Sequence, residues 1–253
     1  MIKITSSSNS KYKFFKSLQS KKARYEHGKY CVEGIKSVHD AICSGRRISE
    51  ILVSDEFSDG FDFGGNTVYE IPKALFDRLS DTSTPQGVMA VMEMEKRAFV
   101  PKMKKSYIFC DRLNDPGNAG TIIRTADAAG LGGVIMSAGS VDIYSPKTVR
   151  ASMGSFFNIE TFTDMTYGEL KKLRDSGFLL IGGILSDGAM DYRDADYTRP
   201  AIIVVGNEAN GISDEVKELC VPVKIPIYGN AESLNASVAA ALLMYEWARN
   251  NFS

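Results

Sequence analysis

The sequence predicts an α/β protein in which a parallel β-sheet follows a smaller N-terminal α/β unit. Three observations predict this. From residue 107 onward, short continuous apolar runs alternate with helical patterns, as expected for strands buried on both faces of a parallel sheet. The first 90 or so residues carry a shorter mixture of strand and helix patterns, enough for one small domain. Between the two lies a charged, weakly apolar stretch around residues 96–105, the candidate linker. The expected boundaries are therefore 1–95, 96–105 and 106–253.

Taken in order, the polar residues 6–10 cap a helix expected over 11–22, where Tyr12, Phe15 and Leu18 recur at helical spacing. A strand follows at 29–33 and a helix at 35–43 that stops at Gly45. Strands are expected at 48–53 and 67–71, a helix at 73–79 and a strand at 87–93. In the larger unit, strands are expected at 107–110, 133–136, 156–161, 178–184, 201–205 and 221–225. Helices are expected at 119–129, 147–153, 168–176 and 214–219, and a last one carries Leu234, Val238, Leu242 and Tyr245 on one face. No internal repeat or low-complexity tract interrupts the pattern.

Composition narrows the class. Hydrophobic residues make up 44% and charged residues 24% of the chain, ordinary values for a soluble globular protein. No apolar run reaches the roughly 18–20 residues of a membrane span, and the N-terminus has no signal-peptide core, so the expected location is the cytoplasm with no membrane partner. Cys31, Cys43, Cys110 and Cys220 are widely spaced, which favours reduced core thiols over disulfides or a zinc site, and no metal is expected. The net charge of −1 hides an asymmetry: residues 1–50 carry 11 Lys and Arg against 4 Asp and Glu. Such a basic front fits either a polyanion such as RNA or a solvated helix surface.

Three loops stand where strands end, the place where parallel sheets bind ligands. The first, 111–118, turns through Asp115-Pro116-Gly117 into a helix that Asn118 can cap. On that helix Arg124 lies opposite the stripe formed by Ile122, Ala126 and Ala129. Its guanidinium suits either a phosphate grip or plain solvation. The second loop, 206–213, pairs two glycines with Glu208. The third, 226–235, runs through Gly229 and Asn230 to a helix capped by Ser233 or Asn235. Read singly, each also fits an ordinary turn. The only histidines, His27 and His39, lie far from all three loops, which disfavours a Ser-His-Asp or Cys-His hydrolase. Neither a P-loop nor a dinucleotide fingerprint is present, so a dehydrogenase-like nucleotide enzyme is disfavoured as well.

Together the loops resemble a known set. Asn114-x-x-Gly117-Asn118-x-Gly120 with Arg124, Gly206-Asn207-Glu208 with Gly211, and Ile225-Pro226-x-x-Gly229-x-x-x-Ser233-Leu234-Asn235-x-Ser237 resemble, in order, the three motifs of the SpoU (TrmH) family. These are RNA ribose 2′-O-methyltransferases that use S-adenosylmethionine. The resemblance is close over about 105–250. The basic helix and the stretch from Gly28 to Gly34 resemble, more weakly, the family's substrate-binding domain. It implies a SPOUT-type parallel sheet with a C-terminal trefoil knot, an exception to ordinary chain topology. It also implies a homodimer and an RNA substrate, and the separate N-terminal unit favours ribosomal over transfer RNA. Cofactor binding is implied for Gly206, Asn207, Ile225, Ile227, Ser233, Leu234 and Asn235, and catalytic roles for Arg124, Asn118, Glu208 and Asn235. Because a guanidinium keeps its proton, the expected role of Arg124 is to clamp a phosphate and polarise the 2′-hydroxyl, the proton passing to that phosphate, to Glu208 or to water. The rival readings are a transfer-RNA 2′-O-methyltransferase, a SPOUT enzyme that modifies a base, and a non-catalytic RNA-binding protein that keeps the fold.

Overall fold

A computed structural model describes residues 1–95 and 98–252. The chain divides into two compact units, Met1–Lys96 with Asp142–Phe157, and Arg97–Val141 with Asn158–Ser253. Lys96 and Arg97, the first residues of the expected linker, and Ser253 lie outside the described residues.

The first unit comprises β1 (Ile2–Lys3), α1 (Ser10–Ser17), α2 (Lys21–His27), β2 (Lys29–Glu33), α3 (Ile35–Cys43), β3 (Ile48–Ser54), β4 (Val68–Ile71), α4 (Lys73–Leu79) and β5 (Val88–Glu93). Its strands form a mixed sheet in the order β1-β4-β3-β5-β2. The single helix expected over 11–22 is two helices. Ser20 caps α2 by accepting from the Ala23 N–H, and the Arg24 guanidinium donates to the carbonyls of Leu18 (2.9 Å) and Gln19 (2.8 Å). Those carbonyls are thereby diverted from continuing α1. Tyr12, Phe15 and Leu18 pack into the core as their spacing requires, against Leu52, Tyr69, Phe76 and Met89.

The segment Asp142–Phe157 completes this unit. Buried Asp142 receives Arg24 Nη2 at 2.6 Å and Nε at 3.1 Å. Tyr144 and Phe156 pack against Tyr30, with ring centres 5.0 and 5.7 Å apart. Between them α6 (Pro146–Ala151) packs against β2. The strand expected at 156–161 is not there. Phe156 and Phe157 sit in a 3₁₀ turn, Ser155–Phe157, because their rings are drawn into this aromatic cluster, and the strand begins later, at Thr161.

The second unit contains β6 (Tyr107–Cys110), α5 (Pro116–Ala128), β7 (Gly133–Ser137), β8 (Thr161–Met165), α7 (Tyr167–Asp175), β9 (Leu179–Gly183), β10 (Met190–Asp191), β11 (Ala201–Val205), α8 (Asp214–Lys217), β12 (Val221–Lys224) and α9 (Ala236–Asn251). The seven strands pair in parallel throughout, in the order β10-β12-β9-β11-β6-β7-β8. The expected parallel sheet is present. One face buries Tyr107, Phe109, Phe162, Leu180, Ile202 and Val204, and Phe99 packs beside them from within the stretch read as a linker. α9 packs against α5 and β11 through Ala240, Leu243, Met244 and Trp247. The stripe of Val238, Leu242 and Tyr245 is exposed, at 48%, 38% and 54% accessible. A helix apolar nearly all round gives spacing arguments two faces to choose between.

All four cysteines are free, but Cys43, at the last position of α3, is exposed and not a core thiol. Burial pushes the thiols of Cys31 and Cys220 up to about 12, which leaves them protonated and unreactive at neutral pH. No helix among the described residues is long and apolar enough to cross a membrane.

Arg24→Ala should strand the Asp142 carboxylate in a buried site and release two carbonyls. The expected loss is about 3–5 kcal/mol, read as a lowered urea midpoint. A midpoint close to that of the unchanged protein would contradict the role given to this pair.

Candidate active site

Strand register puts the three loops side by side. Cys110 pairs with Val205, so the loops after β6 and β11 leave the sheet at the same level, while Gly182 pairs with Val204 and Val223 with Gly183. Strand order also reverses at β6 and β11, the switch point at which parallel sheets open a crevice.

A cleft of ≈ 460 Å³ lies there, lined by Gly183–Ser186 after β9, Val205–Ile212 after β11, and Val223–Ile225, Ile227, Ser233, Leu234, Ala236 and Ala239 around β12 and the start of α9. Its volume is that of a small-molecule pocket, and most of its wall is aliphatic. Of the expected cofactor residues, Gly206, Asn207, Ile225, Ile227, Ser233 and Leu234 line it and Asn235 does not. Glu208 lines it too. Asn118 and Arg124 stand outside the lining, on α5.

Gly206 is dictated by close approach. A Cβ there would lie 2.0 Å from the Gly211 carbonyl carbon and 2.2 Å from the Ile212 nitrogen. The loop folds back on itself, with Asn207 and Gly211 exchanging backbone hydrogen bonds of 3.0 and 2.9 Å, and Gly211 turns at φ +66°. The Asn207 side chain finishes the turn. Its Oδ1 accepts from the N–H groups of Ala209 and Asn210, and its Nδ2 donates to the Arg112 carbonyl at 2.8 Å.

Asn118 ties the loops together. Its Nδ2 donates to Glu208 Oε1 at 2.9 Å, and its Oδ1 accepts from Asn235 Nδ2 at 3.1 Å. Asn118 does not cap α5, as its position had implied. Asp115 does, accepting from the Asn118 N–H at 2.7 Å, with Pro116 at the first helical position. Asn235 is the cap of α9, accepting from the N–H groups of Ser237 and Val238 and from the Ser237 hydroxyl.

Glu208 also accepts from the backbone N–H groups of Asp115 (3.2 Å) and Asn114 (3.3 Å). Desolvation by the neighbouring loops raises its pKa, but the Asn118 amide and these backbone donors together outweigh that and hold the exposed carboxylate below its ordinary value. A carboxylate so engaged is ionised and a weak base. It anchors Asn118 and the first loop. Arg124 is exposed on α5 and makes no hydrogen bond or ion pair among the described residues, so its guanidinium is available to an outside anion.

Sequence reasoning missed the wall formed by Gly183–Ser186 and the contribution of Lys217, Lys224 and Ala239. The residues after β9 carry no motif, and only the rule that ligands gather at strand ends points to them.

Solved structures similar to this chain include RNA methyltransferases. A crystal structure of an AdoMet-bound rRNA methyltransferase from Sinorhizobium meliloti has a TM-score of 0.88 at 31% identity, covering 99% of this chain and 98% of that one. The SpoU methyltransferase AviRb from Streptomyces viridochromogenes, in complex with the cofactor AdoMet, has a TM-score of 0.86 at 28% identity, covering 96% and 99%. Among curated relatives, the 23S rRNA (guanosine(2553)-2′-O)-methyltransferase RlmP of Bacillus subtilis is 35% identical over 97% of this chain and 98% of its own length. Residues 105–245 match the SpoU rRNA Methylase family and residues 9–90 the MRM3-like substrate binding domain. The chain belongs to the SpoU rRNA methylase family.

The depressed Glu208 pKa has a signed consequence. Stability contributed by ionised Glu208 is present above its unfolded value of about 4.3 and is lost as pH falls through the lower folded value. Glu208→Gln should therefore lower the Tm at neutral pH, and the gap to the unchanged protein should close as the pH drops below about 4. A gap that stays constant across that range would show that the charge does not hold the loops.

Proposed function

We propose that this chain transfers a methyl group from S-adenosylmethionine to a ribose 2′-hydroxyl of ribosomal RNA, acting in the cytoplasm as a homodimer. The observation that carries this reading is the aliphatic cleft at the carboxyl ends of β9, β11 and β12, held against Asn118, Glu208 and Asn235, in a chain of this family. The residues present fit the cofactor. Ile225, Ile227, Leu234 and Ala239 offer apolar surface for an adenine, while Gly206 brings backbone close to the cleft. When bound, S-adenosylmethionine supplies an activated methyl group. The C-terminal segment threads a loop to form the family's trefoil knot, with residues 223–237 closing the cofactor pocket.

The protein supplies orientation and charge. Arg124 grips the phosphate next to the target ribose through its planar fork and orients the 2′-hydroxyl. Its guanidinium offers N–H donors and no acceptor, so it serves as donor only. Asn118, fixed between Glu208 and Asn235, presents a rigid amide at the rim of the cleft. Both carboxylate oxygens of Glu208 are taken up by Asn118 and the first-loop backbone, so the hydroxyl proton leaves to water as the methyl group moves from sulfur to the 2′-oxygen. Residues 1–95, completed by Asp142–Phe157, form the domain that engages the RNA, and the rest of 106–253 forms the methyltransferase domain.

The homodimer reading rests on the exposed stripe of Val238, Leu242 and Tyr245 on α9. A second copy of the chain covers it. Leu242→Glu should therefore yield monomers in sedimentation velocity, and an unchanged sedimentation coefficient would contradict this assignment.

Arg124→Ala should lower kcat/KM for methyl transfer to rRNA by about 10²–10³-fold with an unchanged Kd for S-adenosylmethionine. Arg124→Lys should recover only part of the loss, because an ammonium cannot hold a phosphate through two parallel bonds. Wild-type turnover by Arg124→Ala would remove the arginine from the mechanism.

A further inference from the structure

Residues 10–29 hold seven cationic side chains and one carboxylate, Glu26. Three of the cations are engaged within their own unit: Arg24 by Asp142, Lys11 by Glu50 at 2.7 Å, and Lys29 by Glu50 at 3.9 Å. The remaining four, Lys13, Lys16, Lys21 and Lys22, are exposed and make no ion pair among the described residues.

Two features separate this cluster from an ordinary solvated face. Neither α1 nor α2 has an acidic residue in its first turn, and Lys21 and Lys22 occupy that turn of α2. The helix dipole disfavours cations there, so local stability does not account for them. Aromatic rings are also interleaved with the lysines. Phe14 lies beside the stripe of Tyr12, Phe15 and Leu18, only partly buried, and meets His27 edge-on with ring centres 5.1 Å apart at 80°. Lys11 Nζ stands 5.5 Å from the centre of the Phe14 ring, and Lys21 Nζ 5.6 Å from that of Tyr25.

We propose that this ridge on α1 and α2 binds a single-stranded segment of the substrate RNA, with Lys13, Lys16, Lys21 and Lys22 on phosphates and an unpaired base stacked on the Phe14 ring. The proposal rests on the RNA methyltransferase reading and adds to it where, and in what form, the RNA is held. Unpaired lysines around aromatic rings are the combination that binds single strands, because every base offers a π-face and every nucleotide a charge. A base still paired in a duplex cannot turn its face to a ring set between lysines.

The test uses the full-length protein and a labelled oligouridylate of about twelve nucleotides, a length near that spanned by single-strand sites. Kd is measured from about 50 to 200 mM salt. Replacing Lys13, Lys16, Lys21 and Lys22 with Ala should reduce the slope of log Kd against log salt by about 3, at ~0.7 per single-strand phosphate. Phe14→Leu, which keeps an apolar side chain against the core, should weaken binding about tenfold and leave the slope alone. Neither variant should lose Tm or affinity for S-adenosylmethionine. A wild-type slope in the quadruple variant, wild-type affinity in Phe14→Leu, or equal affinity of the unchanged protein for an RNA duplex of the same length would overturn the proposal. Because oligouridylate binding is measured without cofactor or turnover, it decides the ridge, whereas methyl transfer to rRNA by the unchanged protein decides the enzyme.

Discussion

The site depends on one amide. Asn118 donates to Glu208 and accepts from Asn235, so a single side chain joins the loops that follow β6, β11 and β12. Each end of the amide is used once and in the only sense its chemistry allows, donor to carboxylate and acceptor from a second amide. The carboxylate is in turn fixed by two backbone donors of the first loop. Removing the charge, the amide or the cap at Asn235 therefore loosens segments more than a hundred residues apart. The cleft wall and the arginine-bearing helix keep their relation because of this link.

The sheet makes that link possible. Parallel pairing of β6 with β11 and β11 with β9 brings three strand ends to one level, and Gly206 lets the second loop double back where a side chain would strike the Gly211–Ile212 backbone. The N-terminal unit is built with similar economy but is not contiguous. Arg24 serves both as a stop for α1 and as the counter-charge of Asp142, more than a hundred residues further on. Residues 1–95 consequently cannot be excised without exposing Asp142, Tyr144 and Phe156.

Much of the fold was legible in the sequence because parallel strands announce themselves as continuous apolar runs bounded by turns. Most cleft residues were legible because they sit on motif loops at strand ends. The failures share a cause. The break between α1 and α2 is made by Arg24, whose partner lies far along the chain. Phe156 and Phe157 have the look of a strand, but Tyr30 and Tyr144 claim the Phe156 ring, and Phe157 packs on it in turn. On α9, Val238, Leu242 and Tyr245 have the spacing of a buried face, yet Ala240, Leu243 and Met244 form it. In each case local pattern is overridden by a contact distant in sequence. The wall after β9 escaped for a different reason, since Gly183–Ser186 contribute shape and backbone and no distinctive chemistry.

The most direct measurement is a nucleoside digest of ribosomal RNA methylated by the purified protein with S-adenosylmethionine labelled in its methyl group. The account predicts label in a 2′-O-methylated nucleoside and none in any base. Label in a base, or a chain that binds the cofactor and the RNA yet transfers nothing, would contradict it.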